Sequence, residues 1–334
     1  MRRPLIVTLV ALVLVVVAVR QWPEPGARTA PPGPFGVMLD AKELDIDARV
    51  DLAERLEAHY FRSTAVLLPV WDGGCPECEA VHRAGLQWVL TLRNSRSVTT
   101  AARPLDDVDA FKRTVGRVLD RYEPSLVVVE NEENTAKFFD GTADDYLEEL
   151  TAACQVAHQR HLPCTNGGLL SGTVAWVVYF HYIDSGDVLA AASFADRALT
   201  APARTLLKTS AGEAEARAAA GRALQLLEGY GPAGADYLNI HWYIADGPAL
   251  DEAVAYLRAV SGLRVISNEM GQRDIDPDVT TALLRTAQRL DLPIVVWFSV
   301  DARLARSLVE PGGALRVTGE AFRAYVATHH TEPG

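Results

Sequence analysis

The sequence predicts an α/β protein, a (β/α)8 barrel of the TIM type with a helical insertion after strand 5. Three observations lead there. Eight short apolar segments alternate with helical stretches, the pattern of parallel strands joined by crossover helices. Several segments end in polar residues, as barrel strands do at the face where active sites are built. A chain of 334 residues, 49% hydrophobic and 22% charged, buries a core large enough for a barrel of about 250 residues.

The segment from Met1 to Pro34 stands apart. Arg2 and Arg3 precede a 15-residue apolar run, Leu5 to Val19. That order is typical of an export signal, and the run is slightly short of the ~20 residues of a full span. Arg20, Gln21, Trp22 and Pro23 follow without a small-x-small cleavage site. The run is therefore either removed or kept as a membrane anchor, with Arg2 and Arg3 in the cytoplasm and the domain outside. Pro23, Pro25, Pro31, Pro32 and Pro34 make a linker. The barrel domain is expected over residues 35–330.

Strand 1 is Gly36 to Asp40, followed by a helix from about Asp47 to His59. Strand 2 is Thr64 to Val70 and strand 3 is Leu86 to Leu92, with a helix near Asp107 to Arg121 after it. Strand 4 runs from Ser125 to Glu130 and on into Asn131-Glu132-Glu133-Asn134. Alternation along it places Val128, Glu130 and Glu132 on one side and turns Val127 and Val129 toward covering helices. Thr142-x-x-Asp145 is a capping box opening a helix to about Arg160. Strand 5, near Leu162 to Gly168, is followed by an insertion with a helix near Ala211 to Glu228. Strands 6, 7 and 8 are Tyr237 to Tyr243, Leu263 to Glu269 and Pro293 to Ser299. Their helices lie near Leu250 to Val260, Asp278 to Leu290 and Glu320 to Ala327.

Four cysteines suit an exported chain. Cys75 with Cys78 and Cys154 with Cys164 is the simplest of three connectivities. The sharper alternative for Cys75-Pro-Glu-Cys78 is a redox pair or half of a zinc site, but no second Cys-x-x-Cys completes a zinc set.

Charge and motif content exclude several classes. A net charge of −11 with no basic patch argues against a nucleic-acid partner. No His-x-His occurs, which removes the usual ligand pair of metal-dependent amidohydrolase barrels. The only lysines are Lys42, Lys112, Lys137 and Lys208, none at an expected strand end, so Schiff-base chemistry has no nucleophile. Neither a Walker-type loop nor a dinucleotide-binding Gly-x-Gly-x-x-Gly loop is expected. No metal or cofactor is expected.

What remains at the strand ends is a carboxylate constellation. Glu132 and Glu269 end strands 4 and 7 on nearly opposite walls and can face each other across a sugar-sized cleft. Asn239, His241 and Tyr243 share one side of strand 6, and Trp297 arrives from strand 8. Glycosidic hydrolysis needs one carboxylic acid to protonate the departing oxygen and one carboxylate to attack the anomeric carbon. Glu132 and Glu269 fill those roles, Asn131 is placed for a sugar hydroxyl, Tyr243 for orienting Glu269, and Trp297 for the apolar face of a pyranose. Taken singly, each has a blander reading: a helix-cap glutamate, a satisfied core histidine, a barrel-layer tryptophan. Glu130 is either structural or raises the acid's pKa by like-charge proximity. Trp176, Tyr179, Phe180, His181 and Tyr182 form either the core of the insertion or a second sugar platform.

These residues resemble clan A of the barrel glycoside hydrolases. Asn131-Glu132-Glu133-Asn134 is similar to that clan's Asn-Glu-Pro-Asn signature, with Glu133 in place of proline. Asn268-Glu269-Met270-Gly271 is similar to its nucleophile segment, His241-Trp242-Tyr243 to its His-x-Tyr, and Trp297 to its sugar platform. The resemblance implies a retaining glycosidase with a carbohydrate substrate, and the N-terminal segment implies its export. Its rival is a barrel that binds a glycan or a partner protein without hydrolysis. The separation of the two carboxylates discriminates between catalysis and binding.

Overall fold

The computed structural model describes residues 33–39, 44–301 and 303–329. The export segment and Asp40 lie outside the described residues. Ten strands follow in chain order: β1 Phe35–Met38, β2 Tyr60–Arg62, β3 Val66–Leu67, β4 Gln87–Arg93 and β5 Leu126–Val129, then β6 Cys164–Asn166, β7 Leu169–Leu170, β8 Tyr237–Trp242, β9 Arg264–Met270 and β10 Val295–Phe298. Every pairing is parallel. The order β1-β2-β4-β5-β6-β8-β9-β10 closes on itself, because β1 pairs with both β2 and β10 and β2 pairs with β4. The closed ring of eight is the expected barrel, and β3 and β7 are two-residue additions at the ends of β4 and β8.

Period-two alternation builds two cores. Val89, Leu126, Val128, Ile266, Ile294 and Val296 fill the barrel, with Met38, Tyr60 and Tyr237 packed against them. Val127, Val129, Leu238, Ile240, Val295 and Trp297 face outward into the layer beneath the helices. The helices start where short polar side chains cap them: Asp107 before Val108–Arg121, Asp246 before Gly247–Ser261, and Thr142 with Asp145 in a reciprocal box before Ala143–His158.

Two strand assignments change. The second barrel strand is β2, at residues expected to lie just past the end of a helix, whereas Thr64 to Val70 holds only β3 and a 3-10 turn at Leu68–Val70. A chain that must re-enter the barrel right after the helix Ile46–Arg55 takes the shortest route, and Phe61 anchors it, fully buried. Strand 4 also stops earlier than expected, at Val129, because Glu130 and Glu132 take left-handed backbone conformations (φ 66° and 44°).

The insertion consists of Ser171–Asp184, Val188–Ala198 and Ala201–Leu206, before Ser210–Tyr230 packs on the outer face. Gly229-Tyr230-Gly231-Pro232-Ala233-Gly234 fits a Gly-x-Gly-x-x-Gly pattern, yet it ends that last helix, whereas a dinucleotide turn opens one. Both expected disulfides form, Cys75–Cys78 and Cys154–Cys164, with Cα separations of 5.2 and 5.3 Å.

Candidate active site

The left-handed turn after β5 sorts three neighbouring glutamates. Glu130 turns away from the barrel mouth to Arg93, whose Nε lies 3.2 Å from its Oε2, and to the Asn94 amide. Both Glu130 and Arg93 are buried, so this pair holds the turn, and Arg93 also borders the cavity at the mouth. Glu133 is also buried, accepting from the Tyr230 hydroxyl and, at 2.9 Å, from Asn166. Burial pushes its carboxyl above the usual range against those bonds. Only Glu132 reaches the mouth, 14% exposed at its side chain.

Two glycines let β6 pass beneath this turn. A Cβ at Gly167 would lie 2.7 Å from the Asn131 amide nitrogen, and one at Gly168 (φ 112°) would lie 2.3 Å from the His241 ring. Glycine is required at both positions for that close approach.

On the opposite wall, β8 and β9 shift register between Asn239 and His241, which brings His241 level with Glu269. The Tyr243 hydroxyl donates to Glu269 Oε2 at 2.7 Å, and Arg62 Nη1 donates to Glu269 Oε1 at 2.5 Å. Arg62 Nη2 also donates to Asn131 Oδ1 at 3.0 Å, tying the two glutamate-bearing segments together. Burial raises the Glu269 pKa, but the charges of His241 and Arg62 with the hydrogen bonds of Tyr243 and Arg62 outweigh it, leaving the carboxyl below its usual range. Tyr243, desolvated and beside that carboxylate, is held well above the usual phenol value and stays a donor.

His241 bridges the walls. Its Nδ1 lies 3.1 Å from Glu132 and 3.4 Å from Glu269. Glu132, His241 and Glu269 each place one donor atom within 4.8 Å of the others. That spacing also suits a cation, but Arg62 already supplies the positive charge at Glu269.

The structure gathers Glu132, Glu269, Asn131, His241 and Tyr243 at one end of the barrel and leaves Trp297 out. Trp297 is 1% exposed and packs edge-on against Phe322, 6.1 Å between ring centroids, in the outer layer. Phe298 replaces it at the mouth, 5.8 Å from the Tyr243 ring and nearly perpendicular to it. The signal was in the alternation: Ile294 and Val296 point into the barrel, so the next inward position is 298, not 297. Arg62 escaped sequence reasoning because its short strand falls in the gap between the expected helix ending at His59 and the expected strand starting at Thr64, although Tyr60 and Arg62 share an inward face.

Glu132, Glu269, Asn131, Arg62, Lys137 and Phe298 line a cavity of about 390 Å³. Tyr243 also borders a second cavity, of about 240 Å³, walled by Trp176, Arg197, Thr200 and Arg273. The aromatic cluster of the insertion is thus divided. Phe180 is buried core, while half-buried Trp176 stacks on it at 25° and borders this second cavity.

The fold and the site define a closed (β/α)8 barrel with a paired-glutamate mouth. No protein-family model and no curated protein matches the chain. Among solved structures, the chain is similar to a GH128 (subgroup I) endo-β-1,3-glucanase from Amycolatopsis mediterranei in complex with laminaritriose: TM-score 0.52, 13% identity, 87% of this chain and 99% of that one covered. A GH128 (subgroup II) endo-β-1,3-glucanase from Sorangium cellulosum gives a TM-score of 0.54 at 13% identity, covering 87% and 98%. A glucosidase from Croceicoccus marinus gives 0.60 at 12% identity, covering 89% and 67%. At these identities the likeness shows the shared barrel fold.

Proposed function

We propose that the chain is an exported retaining glycoside hydrolase that cleaves O-glycosidic bonds of an oligo- or polysaccharide, with Glu269 as nucleophile and Glu132 as acid/base. The observation that carries this reading is the carboxylate pair, oxygens within 4.8 Å of each other at the barrel mouth. Retention needs the two carboxyl groups about 5 to 5.5 Å apart, whereas inversion leaves room for a water at about 6.5 to 9.5 Å. Glu269, kept ionised by Arg62 and Tyr243, attacks the anomeric carbon while Glu132 gives its proton to the departing oxygen. Glu132 then takes a proton from water, whose oxygen displaces Glu269 and regenerates it. Asn131 offers its amide to the bound sugar, and Phe298 offers a ring face in place of Trp297. The second cavity beyond Tyr243 supports a substrate longer than one sugar.

Export is supported by the N-terminal sequence, residues 1–34, and by the two disulfides. No helix among the described residues is long and apolar enough to cross a membrane. Any membrane attachment therefore belongs to the N-terminal segment, with residues 35–330 as the barrel domain outside.

The neighbours' names set the first panel: aryl β-glucosides and β-1,3-glucan oligosaccharides, with product stereochemistry followed by NMR. Retained configuration is expected. Glu269→Ala abolishes turnover on every leaving group, and azide restores it with inverted product; Glu132→Ala spares good aryl leaving groups in the first step. Binding without turnover across a broad glycoside panel would instead establish the non-hydrolytic glycan-binding barrel.

A further inference from the structure

A ladder of three buried asparagines runs behind the catalytic face, one from each of β6, β8 and β9, and its hydrogen bonds leave no freedom of assignment. Asn239 Oδ1 accepts from the backbone amide of Asn268 at 2.9 Å, and Asn239 Nδ2 donates to the backbone carbonyl of Asn166 at 3.1 Å. Backbone groups cannot exchange donor for acceptor, so the Asn239 amide is oriented. The same Nδ2 donates to Asn268 Oδ1 at 2.8 Å, which orients Asn268 in turn. His241 Nε2 lies 3.0 Å from that same oxygen and must therefore carry a proton. The Nδ2 of Asn268 has no partner, so the arrangement exists for its oxygen.

With Nε2 protonated, Nδ1 faces two carboxylates, at 3.1 and 3.4 Å, in a fully buried setting. A bare Nδ1 against an ionised Glu132 would bring two lone pairs together, so one further proton must sit between them. The surrounding charges agree. Glu132 and Glu133 come from the turn after β5, Glu269 from β9, Arg62 from β2, and the Tyr243 hydroxyl from the ring's own strand. Arg62 already offsets Glu269, so a proton between Glu132 and His241 offsets the remaining carboxylate of the mouth.

We infer that Asn268, itself held by Asn239, is a positioning residue that locks His241 in its Nε2–H form, so that Nδ1 shares and stores the proton Glu132 delivers. The inference rests on the proposed acid/base role of Glu132 for its meaning, though the tautomer itself is independent of any activity. No atom changes hands beyond this proton, which moves between Glu132 Oε1 and His241 Nδ1.

The test is imidazole ¹⁵N NMR on the full-length protein, with His241→Asn identifying the signal. Wild type is expected to show Nε2 protonated. Asn268→Leu removes the acceptor, so the neutral ring should carry its proton on Nδ1. Asn268→Asp, similar in size and still an acceptor, should restore the Nε2–H form. On any aryl glycoside that is turned over, kcat/KM should fall with Leu and not with Asp. An unprotonated Nε2 in the wild type overturns the inference, as does a Leu variant whose tautomer matches the wild type. Absence of turnover on every glycoside would refute the proposed function and leave the NMR result standing.

Discussion

The Arg62 guanidinium donates to Glu269 Oε1 while its other terminal nitrogen holds Asn131, so one buried cation sets both the charge of one wall of the mouth and the position of the other. In a buried pair the loss of one partner costs more than the pair contributes, because the remaining charge stays desolvated. Arg62→Met is therefore expected to destabilise the fold by about 3 to 5 kcal/mol and to lower kcat/KM by at least ~100-fold. The sign of the pH effect follows from the depressed Glu269 pKa. Its ionised form contributes stability above the unfolded value of about 4.3 and loses it as pH falls through the folded value. Without Arg62 that folded value rises, so the acid limb of kcat/KM should move to higher pH. Arg62→Lys keeps the charge but not the fork to Asn131, and should fall in between. Denaturant melts and pH profiles of the two variants check both parts.

A second carboxylate is tuned the opposite way. Glu149 is fully buried beside Glu130, and burial together with the charge of Glu130 pushes its pKa well above the usual range. The folded state therefore holds a proton that the unfolded chain releases above about pH 4.3, and stability falls as pH rises between the two values. Glu149→Gln supplies a neutral side chain of the same shape. It should stabilise the protein at pH 7 to 8 by on the order of 1 kcal/mol and flatten the pH dependence of Tm. An unchanged pH dependence would mean that Glu149 is ionised in the fold.

Where sequence and structure agree and part has a physical pattern. Long periodic helices and four-residue apolar strands were readable, because burial of one face demands a period that the residues display. Thr142 and Asp145 announced their helix by chemistry alone. The carboxylate pair of the mouth was readable because Glu132 follows β5 directly and Glu269 lies near the end of β9. Arg62 was not, since β2 has three residues and no window for a period. Glu130 misled because its left-handed φ reverses the alternation that would have placed it beside Glu132. Trp297 misled by residue type: a tryptophan near a mouth suggests a sugar platform, yet the alternation of Ile294 and Val296 had already assigned the inward place to Phe298.

Cys154 and Cys164 join the helix Ala143–His158 to β6, which in turn carries Asn166, Gly167 and Gly168 toward the turn that bears Glu132. Closing a loop of about ten residues is worth roughly 2 to 3 kcal/mol in the unfolded-chain entropy model. Replacing both cysteines with alanine should lower stability by that amount while leaving KM nearly unchanged, since neither sulfur reaches the cavities. Chemical denaturation of the variant beside the parent reads the difference. A large fall in kcat at full folding would show that the link also positions the glycines.

Trp176 offers the sharpest separation of binding from chemistry. It borders the second cavity across Tyr243 from Glu132, stacked on Phe180 and still partly exposed, the condition of a ring that can receive a sugar face. Loss of an apolar platform removes binding made equally in ground and transition states, which raises KM and spares kcat. Trp176→Ala should therefore raise KM for a tetra- or pentasaccharide by about 10- to 100-fold, corresponding to about 1.4 to 2.8 kcal/mol, and leave hydrolysis of an aryl monoglycoside within about twofold. Phe298→Ala, at the reacting sugar, should impair both substrates. If Trp176→Ala leaves KM for the longer substrate unchanged, the insertion is scaffold and the cleft ends at Tyr243.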